Sequence, residues 1–196
     1  MSQSLPPRLK FAGALPDVIA RADLPPEAAP LVEGVAGPAE AMDCLAAAGF
    51  LSEAVKIAAH ALPKREAVWW ACMCARHTAP KDVPSLEAIC QAAEAWVRSQ
   101  TEDARYAAFR LAEANGLDTP EAWAAVGAFW SGDSMSAPEA PKVPPAPHLA
   151  GLAVAGSVNL SSIRGDVLLR DARVARFLDS ARDIARGGAG RLPPEG

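Results

Sequence analysis

The apolar residues of this chain are dominated by alanine, and this limits the possible folds more than any other feature of the sequence. Hydrophobic residues make up 51% of the 196 positions, but runs of β-branched side chains are missing. Alanine is the best helix former, whereas β-branched residues favour strands. The composition therefore predicts an all-α fold, in a chain long enough for one domain or for one domain with an appendage.

Residues 38–132 are divided by proline and glycine into six short segments, which we term the helical body. Pro38 and Gly49 bracket the first helix, because proline suits the first helical position and glycine the position after the end. The next two helices are predicted over 50–62 and 63–77. Polar side chains that can accept a hydrogen bond from a first-turn amide are expected to cap the last three helices: Asp82 or Ser85, Thr101 and Thr119. Short helices with short links stack as antiparallel hairpins, most like a HEAT or TPR solenoid, but no regular repeat is detectable.

The segments on either side of the body are rich in proline or glycine. Residues 1–37 are predicted to form a proline-rich N-terminal arm with at most one helical turn. A proline-rich strap over 133–147 leads to a C-terminal helical hairpin over 148–186, whose second helix is capped by Asp166, and a flexible tail over 187–196 follows. The proline stretch either separates the hairpin from the body or lets it pack back. We favour packing, because two isolated helices cannot bury enough surface.

Charge and cysteine content limit the partners and the compartment. A net charge of −4 and a pI near 5.4 argue against nucleic acid or an anionic membrane as the main partner. The four cysteines lie in predicted helices without disulfide-like spacing, which is typical of a reducing compartment. No export signal is visible, and the longest charge-free run, Val143–Ile163, is too polar to span a bilayer. These features predict a cytoplasmic protein.

The C-terminal hairpin is more basic than the rest of the chain, which is acidic. Arg173 and Arg176 are candidates for an arginine-rich surface that contacts a partner. The alternative, which we favour, is a solvated helix face on which arginine and aspartate alternate.

Two short motifs invite a chemical interpretation. The segment Cys72-Met73-Cys74 with His77 suggests a metal site, but helical residues two apart point about 200° away from each other, so buried structural cysteines are expected instead. The turn Gly132-Asp133-Ser134 is superficially like the nucleophile block of lipolytic hydrolases. That block follows a β-strand and needs a histidine within reach, whereas here a helix stopped by Gly132 precedes the turn. No catalytic residue, metal or cofactor is predicted.

Tryptophan and arginine residues are the remaining candidates for a binding surface, since both are common interface anchors. Trp69 and Trp70 follow Arg65, and Trp130 closes the last helix of the body. Adjacent helical residues are about 100° apart, so one of the pair can reach the surface beside Arg65. Most tryptophans are expected in the core, where the helices pack on each other.

Three segments together resemble a family of uncharacterised bacterial proteins often encoded in type VI secretion loci. They are Leu62–Cys72, Phe129–Gly132 and Val143–Leu149, and the resemblance covers residues 38–165. Some family members carry a twin-arginine-signal label, but no Arg-Arg pair precedes an apolar segment here. A second glycine is usual in the family at the position of Asp133.

The resemblance implies a non-enzymatic adaptor that assists a contractile secretion machine, for example in loading effector or spike proteins. Its expected partners are proteins. A hydrolase that uses Asp133 and Ser134 is the alternative from another functional class. A structural or immunity-type protein is a third interpretation, which the sequence does not separate from an adaptor.

Overall fold

The computed structural model describes residues 10–195 and confirms the all-α fold. This part of the chain contains nine α-helices and two short 3₁₀ turns, with no strand. The α-helices are α1 (Leu15–Ala22), α2 (Pro38–Ala47), α3 (Leu51–Ala61), α4 (Lys64–His77), α5 (Pro84–Ser99), α6 (Glu102–Ala114), α7 (Pro120–Phe129), α8 (Leu149–Ile163) and α9 (Arg170–Ala185). The 3₁₀ turns are Ala29–Val32 and Val167–Leu169. Residues 1–9 of the predicted arm and Gly196 lie outside the described residues.

Helix α8 lies at the centre of the structure. It packs against α3, α4 and α7, and also contacts α1 and α9. Small residues allow the close approach: a Cβ atom on Gly127 of α7 would lie 3.2 Å from a methyl carbon of Val154. The Ser157 hydroxyl donates 2.7 Å to the carbonyl oxygen of Pro120. The C-terminal hairpin therefore packs back on the body rather than standing apart from it.

Of the three caps predicted for the body, two are present and one is not, while Asp166 caps the 3₁₀ turn that leads into α9, with its carboxylate accepting the Leu168 N–H. The hydroxyl oxygens of Thr101 and Thr119 accept first-turn amides of α6 and α7, from Ala104 and Ala122. The prediction for α5 was wrong: α5 begins at Pro84, and no side chain caps it. The reason is geometric, because Asp82 adopts a left-handed backbone conformation with φ 61° and Ser85 already lies inside the helix.

The N-terminal arm contains more helix than its prolines suggested. Helix α1 covers eight residues, and a 3₁₀ turn follows at Ala29–Val32. Prolines lie in the first turn of both elements, where the missing N–H has no intrahelical partner to lose. Val18 and Val32 are buried, so the arm contributes to the core.

Arg105 on α6 is fully buried and organises the segment that follows α7. Its Nη1 atom donates to the carbonyl oxygens of Phe129 and Ser134, at 2.7 and 2.9 Å. Its other nitrogens bind both carboxylate oxygens of Glu102, and its guanidinium stacks 4.9 Å from the ring centroid of Phe129. This network fixes the first part of the predicted strap.

The role predicted for Gly132 was wrong. Helix α7 ends at Phe129, three residues before this glycine. A Cβ atom at Gly132 would lie 2.4 Å from Nε of Arg105. Gly132 therefore makes room for the buried arginine rather than stopping the helix.

Arginines of the C-terminal hairpin attach it to the body. Arg164 forms a two-point ion pair with the buried carboxylate of Glu121 at the start of α7, with an Nη1–Oε1 distance of 2.9 Å. Arg182 pairs with Asp43 on α2 and with Asp179 on its own helix. These side chains are bound within the chain, so they are not free for a partner.

Replacing Arg105 with methionine should lower the free energy of unfolding by about 2–4 kcal/mol. The variant leaves the carbonyl oxygens of Phe129 and Ser134 without their buried donor. Arg110→Met, on an exposed position of the same helix, is the matched control and should change stability by less than about 0.5 kcal/mol. Urea unfolding at neutral pH measures both. Equal stabilities for the two variants would contradict the anchoring role of Arg105.

Candidate protein-binding groove

A groove of about 400 Å³ opens beside Trp69, and we call it the Trp69 groove. Its lining residues come from α4, from the C-terminal end of α5, from the end of α9 and the chain after it, and from the chain before α1. They are Lys10, Arg65, Glu66, Trp69, Val97, Arg98, Ile184, Gly187, Gly188 and Ala189. The groove thus combines one large aromatic side chain with a rim of charged residues.

The rim of the Trp69 groove is basic. It carries Lys10, Arg65 and Arg98, against the single acid Glu66. Nε of Arg65 donates 3.0 Å to the carbonyl oxygen of Val97, which fixes the guanidinium at the rim. Its terminal nitrogens make no hydrogen bond within residues 10–195, so they can bind a carboxylate at two points. The chain as a whole is acidic, so the positive charge of this rim is opposite to the net charge of the protein.

Trp69 is half-buried and its orientation is fixed by the tail. Its indole N–H donates 2.7 Å to the carbonyl oxygen of Ala189, while its ring lines the groove. Because the polar atom is already satisfied, the exposed part of the side chain is apolar. This arrangement suits contact with an apolar group of a partner.

The tail is held against the body through Glu195, although its glycines predicted flexibility. The Glu195 carboxylate accepts hydrogen bonds from Arg173, with an Nη2–Oε2 distance of 2.6 Å. Its backbone N–H donates to the carbonyl oxygen of His77, and Nδ1 of His77 contacts the carbonyl oxygen of Pro193. The Arg173 guanidinium, followed by the charges of His77 and Arg176, lowers the pKa of Glu195 below its ordinary value.

The structure separates the six residues predicted to contact a partner. Arg65 and Trp69 share the groove, whereas Trp70 is fully buried and its indole N–H donates 2.8 Å to the carbonyl oxygen of Phe177. Arg173 is also buried, because it binds the tail and three carbonyl oxygens around the turn before α9. Neither of these two can contact a partner at the surface while the fold is intact.

The other two candidates lie away from the groove. Trp130 is half-buried and packs edge-to-face on Trp123, with ring centroids 6.2 Å apart. Arg176 is exposed on α9, in a shallow depression formed with the tail. Sequence reasoning missed Lys10 and Arg98. In the sequence, each is a basic residue outside any motif. Nothing distinguishes them there from other surface lysines and arginines.

Ser134, the nucleophile of the hydrolase alternative, is bound within the loop. Its hydroxyl oxygen accepts the backbone N–H groups of Ser136 and Val143, at 3.2 and 3.1 Å, and lies 2.7 Å from the Ser136 hydroxyl. A shallow pocket of about 320 Å³ beside it is lined by Asp133 and Lys142 but by none of the three histidines of the chain. The side chain of Ser134 thus fastens the strap, and none of the described histidines lies next to it as a proton acceptor for nucleophilic attack.

The cysteines are free thiols, and the helix separates the two of the Cys-Met-Cys segment. Burial raises the pKa of Cys74, while the neighbouring Cys90 thiol and burial raise that of Cys72. Within residues 10–195, no three His, Cys, Asp or Glu side chains are grouped so that they could hold a metal ion. None of the helices in this part of the chain is long and apolar enough to cross a membrane.

Comparison with known proteins places the chain in one family. Residues 41–185, well over half of the chain, match the model of a family of unknown function, DUF6931. The chain belongs to this family. No curated protein and no solved structure matches it. The matched region begins within α2 and ends with α9, so it includes α4, α5 and the end of α9 that border the groove.

Glu195→Gln should lower the free energy of unfolding by about 1–2 kcal/mol at pH 7, because it removes a charge-assisted contact with Arg173. The pKa of Glu195 is lowered by folding, so its stabilisation is complete above the ordinary pKa of a glutamate and is lost as the pH falls through the lower, folded value. The difference between the variant and the native chain should therefore shrink in acid. Urea unfolding at pH 7 and pH 3 measures it, with the exposed Glu113→Gln as control. A difference that does not depend on pH would contradict the ion pair.

Proposed function

We propose that this protein is a non-enzymatic adaptor that binds another protein through the Trp69 groove. The observation that carries the proposal is the joint placement of Trp69 and Arg65 in one groove, with the aromatic ring and the guanidinium both accessible. Tryptophan and arginine dominate the binding energy of many protein interfaces. A rim with three basic residues and one acid favours a partner segment that carries carboxylates beside an apolar side chain.

The biological setting of the proposal comes from the resemblance of three sequence segments to proteins often encoded in type VI secretion loci. We propose that the partner is a component of a bacterial contractile secretion system, such as an effector or a spike protein. The four free thiols support a cytoplasmic site of action before secretion. The adaptor would then hold its partner while the machine assembles.

The groove itself is tested with Arg65→Glu and Trp69→Ala. For a partner that binds there, each change should weaken the affinity roughly 30-fold, as truncation of an interface hot spot does. Arg110→Glu, which makes the same charge reversal on an exposed part of α6, is the control and should leave the affinity unchanged. Titration calorimetry with the purified partner measures the three variants, after circular dichroism has confirmed that each is folded.

The setting is tested by purifying the tagged full chain together with the products of its neighbouring genes. Recovery of a secretion-system component with the native chain, and its loss with Arg65→Glu, is the expected result. A pull-down that recovers no secretion component would contradict the proposed setting. Recovery that is equally strong with Arg65→Glu would contradict the groove as the binding site.

A further inference from the structure

A second cavity, of about 190 Å³, lies between the N-terminal segment, the corner of α3 and α4, and the start of α8. We call it the His60 cavity. Its lining is mostly apolar, from small side chains such as Ala59, Ala67 and Ala150. It shares no lining residue with the Trp69 groove, so a ligand in this cavity is independent of the proposed adaptor function.

All the ionisable residues that line the His60 cavity within residues 10–195 are basic: Arg21, His60 and Lys64. The guanidinium of Arg21 lies at the rim, where a Cβ atom on Gly13 would be 3.3 Å from its Nη2 atom. Arg21 has no carboxylate partner within residues 10–195. Lys64 is exposed, and among the described residues its Nζ atom makes a single hydrogen bond, 3.3 Å to the carbonyl oxygen of Ser131. Positive charge is therefore concentrated around a space that no acid among the described residues neutralises.

Two helices also begin at this cavity. The first turn of α4 contributes Lys64 and Ala67, and the first turn of α8 contributes Ala150 and Gly151. The helices are 14 and 15 residues long, and no side chain caps either of them. First-turn amides have no carbonyl partner within their helix, and the helix dipole is positive at that end. Both helices therefore add to the positive potential in the cavity.

His60 is the independent observation that points to a ligand. Only 8% of this residue is exposed, and no hydrogen bond joins its ring to any of the described residues. Its ring nitrogens are not fully enclosed, because the enclosed side-chain polar atoms without a partner in residues 10–195 belong to His77 and Thr78. The ring is therefore accessible from the cavity that it lines. The imidazole is packed against α8 so closely that a Cβ atom on Gly151 would lie 2.2 Å from Nδ1. A polar atom that reaches a cavity without a protein partner is normally bonded to water or to a ligand there. Glycine at position 151 keeps the space that the ring occupies.

We propose that the His60 cavity binds a small oxyanion, the phosphate or carboxylate group of a small molecule. Arg21 and Lys64 supply the charge, the first turns of α4 and α8 supply backbone N–H groups, and His60 supplies one ring N–H. The apolar walls leave room for a short hydrocarbon part of the ligand. A volume of about 190 Å³ restricts that part to a few atoms.

Anion binding at this place must be linked to the protonation of His60. Burial, followed by the charges of Arg21, His148 and Lys56, lowers the pKa of His60 to about 4. The charged groups that lower this pKa or line the cavity beside the ring come from α1, α3, α4 and the residue before α8, and they are basic: Arg21, Lys56, Lys64 and His148. Lys56 is itself paired with Glu53 on α3, at 3.9 Å. A bound anion favours the protonated ring, so it raises the pKa of His60. By linkage, the anion binds more tightly as the pH falls towards that pKa.

The test is an NMR titration of the histidine ring resonances in the full chain, with inorganic phosphate, sodium acetate or sodium chloride at equal ionic strength. The His60 resonance is assigned by its loss in His60→Gln. Saturating phosphate or acetate should raise the pKa of His60 by about one unit, which corresponds to a roughly tenfold preference of the anion for the protonated chain. A larger shift with phosphate identifies a phosphate site, and a larger shift with acetate a carboxylate site. The His77 resonance, which belongs to a residue outside the cavity, should not respond to either anion.

Charge variants complete the experiment. Arg21→Gln and Lys64→Gln should each weaken binding of the effective anion about tenfold. Arg110→Gln and Lys81→Gln remove the same charges at exposed positions outside the cavity and should leave binding unchanged. A His60 pKa that responds no more to phosphate or acetate than to chloride overturns the proposal, and so does equal weakening by the control variants. The titration of the native chain decides the matter even if a cavity variant does not fold.

Discussion

The close packing of α8 against three other helices is the constraint on which the rest of the structure depends. This helix is built largely from alanine, glycine and serine, so its backbone can approach α3, α4 and α7 more closely than larger side chains would permit. Gly127 admits Val154, and Gly151 admits the imidazole of His60. Small side chains bury little apolar area each, so the stability of this arrangement depends on many close contacts rather than on a few large residues.

Two buried arginines and one half-buried arginine attach the segments that the small residues do not hold. Arg105 fixes the chain after α7, Arg164 joins the end of α8 to the start of α7, and Arg173 holds the tail. Each guanidinium presents several donors in a fixed plane and binds carboxylate or carbonyl oxygens that would otherwise be buried without partners. The segments that the prolines and glycines seemed to leave loose are therefore attached to the body by polar networks. For the same reason, few of these arginines are available for a partner.

The two proposed sites lie on opposite sides of the first turns of α4. Lys64 and Ala67 line the His60 cavity, whereas Arg65, Glu66 and Trp69 line the Trp69 groove. This division follows from the 3.6-residue period of the helix, which directs successive side chains to different faces. A single short stretch of sequence thereby serves a cavity suited to a small anion and a groove suited to a protein, and the N-terminal segment closes one edge of each.

The sequence by itself determined the helical class, the approximate bounds of the helices in the body and the threonine caps, because propensity, capping and chain punctuation are local effects. The four-residue spacing of Arg65 and Trp69 also places both side chains on one face of α4, since residues four apart share one face of a helix. Only the tertiary structure decided that Trp70 faces the core, that Gly132 makes room for Arg105 and that Glu195 returns to Arg173. It alone placed His60 beside Arg21 and the start of α8. These relations join residues far apart in the chain, and no local preference encodes which distant surfaces pack together.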